Sequence, residues 1–296
     1  MIDERYYYLS VINRDMVKYK LPKRKDVYNK GDFGKLLCIC GSRSMPGAAS
    51  FAISAALRCG VGTIKSCVVP SIYGTISSRI PETTFCVVKE NSDGYMSKNS
   101  INTILDAMKD CSAAVIGCGL GWNQDTKFLV EEIIKNSNIP LVVDADGINV
   151  ISENIDILHH SNCEIVLTPH PKEMTRLMGT EFKSLDKMGP ASEFAVHYGV
   201  TVLLKGHRTV ISNKTGSIFL NKTGNVGMAK GGSGDVLSGM IGSFLAQKLL
   251  PVDAAICGAF IHGFAGDKCA QKLSNVSMLP SDIVEELPSV FSEFEL

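Results

Sequence analysis

From Gly34 onward the sequence repeats one rhythm: a short apolar run, a Gly or Asp at its end, then a segment whose apolar residues recur at helical spacing. Short runs rich in Val, Ile and Leu suit strands buried on both faces, and the longer periodic segments suit helices that cover them. Such alternation implies an α/β fold with a mostly parallel central sheet and helices on both faces. Strands are expected over 35–40, 63–69, 84–88, 113–116, 140–143, 164–167 and 201–204, and helices over 48–59, 98–109, 125–136, 172–178, 187–198, 236–248 and 252–273. After residue 204 the pattern changes. Segments 209–212 and 217–220 flank a turn-rich stretch, 213–216, and read as a C-terminal β-hairpin. Two long helices then close the chain. With no internal repeat and no low-complexity linker, one domain over 1–296 is expected, with residues 1–30 a leader packed on its surface. The basic end of that leader (Lys18, Lys20, Lys23, Arg24, Lys25) reads as a solvated face.

Composition narrows the partners. Apolar residues make up 45% of the 296 and charged residues 20%, which excludes intrinsic disorder. Thirty basic residues balance thirty acidic ones, so no basic field exists to hold a nucleic acid. The ten cysteines contain no CxxC pair, which excludes a zinc ribbon or a thioredoxin-type motif and leaves buried, reduced thiols as the expectation. The N-terminus has no signal-peptide core, and no run of about 18 apolar residues occurs, so a soluble, cytoplasmic protein without membrane contact is expected. The long apolar C-terminal helices serve either a core or a subunit interface, and a homo-oligomer is expected.

In open parallel sheets, ligands sit beyond the carboxyl ends of the strands. Glycines, acids and cations gather there. Gly41-Ser-Arg-Ser-Met-Pro-Gly-Ala48 follows the first strand but lacks the Lys-Ser/Thr pair of a P-loop. Gly117-x-Gly119-x-Gly121 follows the fourth. Its glycines are too closely spaced for the dinucleotide fingerprint, so it is either a plain turn or a close backbone approach to a ligand. Asp144 and Asp146 follow the fifth strand and either hold Mg²⁺ through water or cap the next helix. His170, between Pro169 and Pro171, is a structural loop histidine or faces the ligand edge at a helix entrance. Without HExxH or another close ligand cluster, zinc is not expected. Lys205-Gly206-His207-Arg208-Thr209 joins two β segments and either grips a nucleotide or is a solvated loop.

The strongest local signal is Gly231-Gly232-Ser233-Gly234-Asp235, followed by apolar residues at helical spacing. A glycine-rich helix start offers free N–H groups and the positive end of the dipole to an anion. Asp235 can cap that helix. It can equally accept a proton from an attacking hydroxyl beside a phosphate. The motif alone leaves both roles open.

Taken in order, Gly41-Ser-x-x-x-x-Gly-Ala48, Gly117-x-Gly-x-Gly121, Val143-Asp-Ala-Asp-Gly147, Leu167-Thr-Pro-His-Pro-Lys-Glu173, Leu204-Lys-Gly206 and Asn225-x-Gly-Met-Ala-x-Gly-Gly-x-Gly-Asp235-Val-Leu-x-Gly239 resemble the ADP- or ATP-dependent NAD(P)H-hydrate dehydratases. That family is a branch of the ribokinase-like superfamily, and the resemblance spans about residues 25–290. It implies a ribokinase-like fold and a metabolite-repair lyase. Hydrated NADH or NADPH (NADHX, NADPHX) carries a hydroxyl on the reduced nicotinamide ring. Phosphorylating it from ADP or ATP with Mg²⁺ turns a poor leaving group into a good one, and loss of phosphate restores the dinucleotide. By that match Asp235 is the catalytic base and touches the hydrated ring, and Ala48, Gly121 and His170 line the hydrated dinucleotide. Backbone around Gly231, Gly232 and Gly234 forms the anion hole. Lys205, Gly206, His207, Arg208 and Thr209 hold the adenine nucleotide together with Gly234, and Glu173 orders Mg²⁺ through water. Many bacterial relatives carry an epimerase domain upstream, so the matching epimerase is expected on a separate protein. Two other readings share Asp235 and the glycines: a ribokinase-like kinase for thiazole or pyrimidine alcohols, and a nucleotide-binding sensor without turnover.

Overall fold

The computed structural model describes residues 9–24, 29–183 and 186–294. β1 (Leu9–Val11) and α1 (Arg14–Lys20) come first, followed by β2 (Lys35–Ile39), α2 (Pro46–Arg58), β3 (Thr63–Val68), α3 (Pro70–Arg79) and β4 (Thr84–Val87). The middle of the chain runs α4 (Ile101–Met108), β5 (Ala113–Ile116), α5 (Gln124–Asn136), β6 (Leu141–Val143), α6 (Asp146–Glu153), β7 (Ile165–Leu167), α7 (Pro171–Met178), α8 (Met188–Tyr198) and β8 (Thr201–Leu204). β9 (Val210–Ser212) and β10 (Ile218–Leu220) precede α9 (Ser233–Ala246), α10 (Pro251–Ser277) and α11 (Pro280–Ser292).

One ten-stranded sheet carries these elements in the order β1-β10-β9-β8-β7-β6-β5-β2-β3-β4. From β8 to β4 every neighbouring pair is parallel. The β5, β6, β7 and β8 strands are buried at every residue, as their apolar runs require of strands covered on both faces. β9 pairs antiparallel with β8 and with β10 across the turn at 213–217. α2, α9, α10 and α11 pack on one another, while α4 to α7 form a second row of neighbours. No helix of the described residues is long and apolar enough to cross a membrane.

The N-terminal segment departs from expectation. Its described residues 9–24 are more than laid on the surface, and residues 1–8 and 25–28 lie outside the described residues. β1 adds to the sheet edge parallel to β10, and Ile12, Val17 and Leu21 are buried in the main core. Of the basic run, Lys18, Lys23 and Arg24 are exposed, as a solvated face requires, while Lys20 is partly buried. Lys20 pairs with Asp253 at 2.5 Å, and Arg24 lies 4.1 Å from the Phe33 ring centroid and donates to the Gly60 carbonyl. Lys25 lies outside the described residues.

Three further helices were not expected. α3 has Pro at its start and only Ile72 and Ile76 buried, one turn apart, amid Ser, Thr and Gly74, so its periodic signal is faint. α6 has only 8 residues. α11 makes three closing helices rather than two, because the chain leaves helical geometry at Ser274 (φ 72°) before restarting at Pro280. All ten cysteines are free; eight are buried, and Cys86 and Cys163 are partly exposed.

The helix that matters most for the site is α9. Residues Val236 to Ala246 are buried all round, so it runs through the core. Close approach is what permits this. A Cβ at Gly239 would stand 2.1 Å from the Ala52 carbonyl oxygen on α2. A Cβ at Gly242 would stand 2.2 Å from Val115 Cγ2 on β5. Glycine at both positions seats the helix against sheet and neighbour, and its first turn is fixed with it.

Candidate functional site

β2, β5, β6, β7 and β8 are consecutive in the sheet and parallel, so the loops after their carboxyl ends converge. The first turn of α9 points into that convergence. Gly232 opens the helix with φ 100°, and a Cβ there would strike the Phe51 ring at 2.6 Å, so both conformation and space demand glycine. Asp235 is the third residue of the helix. Gly232 is the cap, so the reading of Asp235 as cap is not realised. Val236 closes the first helical bond onto the Gly232 carbonyl. Among the described residues, no acceptor meets the N–H groups of Gly234 and Asp235, which leaves them for an anion.

The Asp235 carboxyl sits near that of Asp144 and the Cys118 thiol. Burial raises its pKa to about 6, and the Asp144 charge adds to the rise; a hydrogen bond from Cys118 and the charge of Lys205 oppose it. Asp144 is itself buried. It accepts from Lys205 Nζ at 2.8 Å and from Ser238 Oγ, on α9, at 2.6 Å. Burial would push its pKa up, but the Lys205 ammonium and these hydrogen bonds hold it below the ordinary carboxylate range. Lys205 shifts the opposite way. Burial disfavours its charge, yet Asp144 and Glu173 keep its pKa above the usual value. The pair therefore stays ionised. Asp144 caps no helix: Ala145, at φ 48°, occupies that position of α6. Asp146 instead accepts the Gly121 N–H at 2.8 Å and so ties the glycine loop to α6.

A cleft of about 760 Å³ opens beside this cluster. Lys205, Gly206, His207, Arg208, Thr209, Gly231, Gly232, Gly234, Asp235, His170 and Glu173 all line it. His170 caps α7: its Nδ1 accepts the Glu173 N–H at 3.1 Å, and Glu173 Oε2 accepts the His170 N–H at 2.7 Å. Burial and nearby Lys205 lower the His170 pKa, which favours the neutral ring. Burial raises the Glu173 pKa, against the pull of Lys205. Ala48 and Gly121 stand apart from this cleft, on the side of the glycine loop. A Cβ at Gly119 would touch Ala48 Cβ at 2.7 Å, and one at Gly121 (φ 81°) would enter the Tyr95 ring. Asp235 lies between the two sides, with Cys118 of the glycine loop as its neighbour.

Several contributors carry no local signature in the sequence. Lys187 is buried, and its Nζ donates to the His207 carbonyl at 2.6 Å, which braces the 205–209 loop; burial lowers its pKa. Asp267 on α10 accepts from Gly224 N–H and Asn225 Nδ2, fastening the opposite wall. His262 is 3.4 Å from Ser233 Oγ, with its pKa lowered to about 4, first by burial and then by Lys205. Ser238 had only its spacing on α9 to mark it, and the others had nothing.

Three carboxyl groups, Asp144, Glu173 and Asp235, line the cleft together with Lys205, Arg208, Lys222 and Lys230, and burial raises the pKa of two of the three. Carboxylate oxygens gathered in one cleft are the hard donors that a divalent cation takes. Mg²⁺ takes oxygen ligands, keeps several waters, and needs only one or two carboxylates when it travels with phosphates. The donor set fits it. Cys118, whose sulfur lies within 4.8 Å of oxygens of Asp144 and Asp235, contributes a thiol that suits softer metals.

A family model described as NAD(P)H-hydrate dehydratase matches residues 36–289. The ADP-dependent (S)-NAD(P)H-hydrate dehydratase of Neisseria meningitidis serogroup B is 34% identical over 250 residues, which cover 82% of this chain and 80% of that protein. The chain belongs to the NAD(P)H-hydrate dehydratase family. The bifunctional NAD(P)H-hydrate repair enzyme Nnr of Moorella thermoacetica is 33% identical over 297 residues, all of this chain but 56% of that protein. The chain thus spans about half the length of the bifunctional relatives it matches. Among solved structures, an ADP/ATP-dependent NAD(P)H-hydrate dehydratase from Bacillus subtilis, co-crystallised with ATP/Mg²⁺, superposes with a TM-score of 0.82 at 27% identity, covering 95% of this chain and 97% of that one. A ribokinase-like superfamily protein from Enterococcus faecalis V583 gives 0.82 at 25% identity, covering 98% and 97%. The dehydratase family's ribokinase-like architecture is the fold described above.

Proposed function

We propose that this protein is a hydro-lyase that dehydrates NADHX and NADPHX to NADH and NADPH at the expense of ADP or ATP. The observation that supports it most is Asp235: a half-buried carboxyl in the first turn of a glycine-opened helix, with free N–H groups beside it and a cleft in front. At neutral pH a carboxyl of pKa about 6 is mostly ionised, yet basic enough to take a proton.

In this reading Asp235 takes the proton of the ring hydroxyl as its oxygen attacks the terminal phosphorus of the nucleotide. The bond from that phosphorus to the bridging oxygen breaks, and a nucleotide with one phosphate fewer leaves. The N–H groups of Gly234 and Asp235 and the α9 dipole hold the charge of the phosphoryl group in flight. The ring-nitrogen lone pair then expels phosphate, and loss of a proton from the neighbouring carbon restores the dihydropyridine. Lys205–Thr209 and Gly231–Gly234 hold the nucleotide, while Ala48, Gly121 and His170 line the hydrated dinucleotide. Asp144 and Glu173 would order a hydrated Mg²⁺, which supplies charge neutralisation for the phosphates. We take the chain as one ribokinase-like domain, because one sheet and one core run through its described length.

The test is a product analysis with NADHX, Mg²⁺ and either nucleotide. Recovery of reduced-nicotinamide absorbance with one free phosphate per turnover is expected. A lasting phosphate ester would make the protein an alcohol kinase. Nucleotide binding without any product would make it a sensor.

A further inference from the structure

β4 is the outer strand of the sheet, beside β3, on the edge away from β1. Cys67 on β3 stands directly opposite Cys86 on β4 in the parallel register. Neighbouring strands lie about 4.8 Å apart, within the span of about 4.4–6.8 Å that a disulfide bridges between Cα atoms. The two thiols differ in every other respect. Cys67 is fully buried, whereas Cys86 is partly exposed. Lys65 lies two residues before Cys67, opposite Thr84, so it shares their face; its ammonium is held by Asp110 at 2.7 Å. The hydrogen bond from Cys67 lowers the Cys86 pKa to about 6, with burial opposing it and Lys65 adding to it. Cys67 moves the other way, its proton held by that same hydrogen bond and by burial. One thiol is thus partly exposed with its pKa lowered, and the thiol opposite it in the register is buried with its pKa raised.

We infer that Cys67 and Cys86 form a redox-active pair on the outer edge of the sheet, remote from the cleft, that hydroperoxides convert to a disulfide. The Cys86 thiolate attacks the peroxide: the O–O bond breaks, an S–O bond forms, the sulfur is oxidised to a sulfenic acid, and the alkoxide or hydroxide leaves to take a proton from water. The Cys67 sulfur then attacks Cys86. The S–S bond forms, the S–O bond breaks, and the departing hydroxide leaves as water with the Cys67 proton. Exchange with a small-molecule thiol returns both to the reduced state.

The experiment treats the intact protein with hydrogen peroxide, blocks remaining thiols by alkylation and maps peptides by mass spectrometry. Expected is a peptide carrying Cys67 joined to one carrying Cys86, lighter by two hydrogen atoms and released by dithiothreitol. In Cys67→Ser, oxidation should stop at a sulfenic acid on Cys86 that dimedone traps. In the untreated protein, iodoacetamide should label Cys86 at least about fivefold faster than Cys163, the other partly exposed thiol. The wild-type measurement needs no variant to fold. A Cys86 joined to Cys111, driven to the sulfinic acid while Cys67 stays free, or left unreacted would each overturn the pairing.

Discussion

At residue 235 the fold holds a carboxyl away from its ordinary titration, and two consequences follow. Its folded pKa, about 6, lies above the unfolded value of 3.8. The proton bound in the folded state therefore favours the fold fully below about pH 4, and that contribution is lost as pH rises through about 6. Asp235→Asn removes the charge with little change of shape. It should stabilise the protein by about 1–3 kcal/mol near pH 8, and the gain should vanish towards pH 4, as read by urea unfolding at both pH values. Lys205 carries the opposite risk. Asp144 is only 1% exposed and depends on its ammonium. Lys205→Met should cost about 3–5 kcal/mol by stranding that charge, and the double variant with Asp144→Asn should lose less. A loss below about 1 kcal/mol for Lys205→Met would mean that the pair is not ionised. The sequence placed Asp144 at a strand end but could not pair it: Lys205 is 61 residues on and Ser238 is 94. Only the fold makes them neighbours.

Among the elements, α9 sets the position of the site. The glycines that let it sink into the core also fix the direction of its first turn. Gly239→Ala would gain helix propensity of about 1 kcal/mol yet drive a methyl into the Ala52 carbonyl, a backbone atom that cannot swing aside. A net loss of about 1–3 kcal/mol in a denaturant titration is expected, with a neutral result contradicting the close approach. Elements with strong periodicity, such as α5 and the buried strands, were readable from the sequence because their apolar spacing is set by burial. α3, α6 and β1 were not. α3 is weakly apolar, α6 is short, and β1 has three residues, held by pairing with β10 rather than by any propensity of its own. Their stability is tertiary, and no local window records it.

Over the whole molecule, parallel order turns five separate loops into one site. Strand ends that are far apart in sequence become adjacent because β2, β5, β6, β7 and β8 are neighbours. That gathering was foreseeable from the alternating pattern, whereas the braces on the cleft walls, Lys187 and Asp267, were not. Binding to such a prebuilt cleft should stabilise the fold by linkage. ADP or ATP with Mg²⁺ at about 100 times its Kd should add about 2.7 kcal/mol, or several degrees in Tm. Chelation of the metal should remove most of that shift, because the nucleotide phosphates then lose their counter-ion. The central claim concerns proton removal by one carboxylate, and the pH dependence of turnover tests it most directly. With NADHX, nucleotide and Mg²⁺, kcat/KM of the wild type should fall tenfold per pH unit below about 6, and Asp235→Asn should lose a factor of about 10²–10⁴ while its nucleotide affinity is kept. An Asp235→Asn variant that turns over at the wild-type rate, or a profile flat through that range, would contradict it.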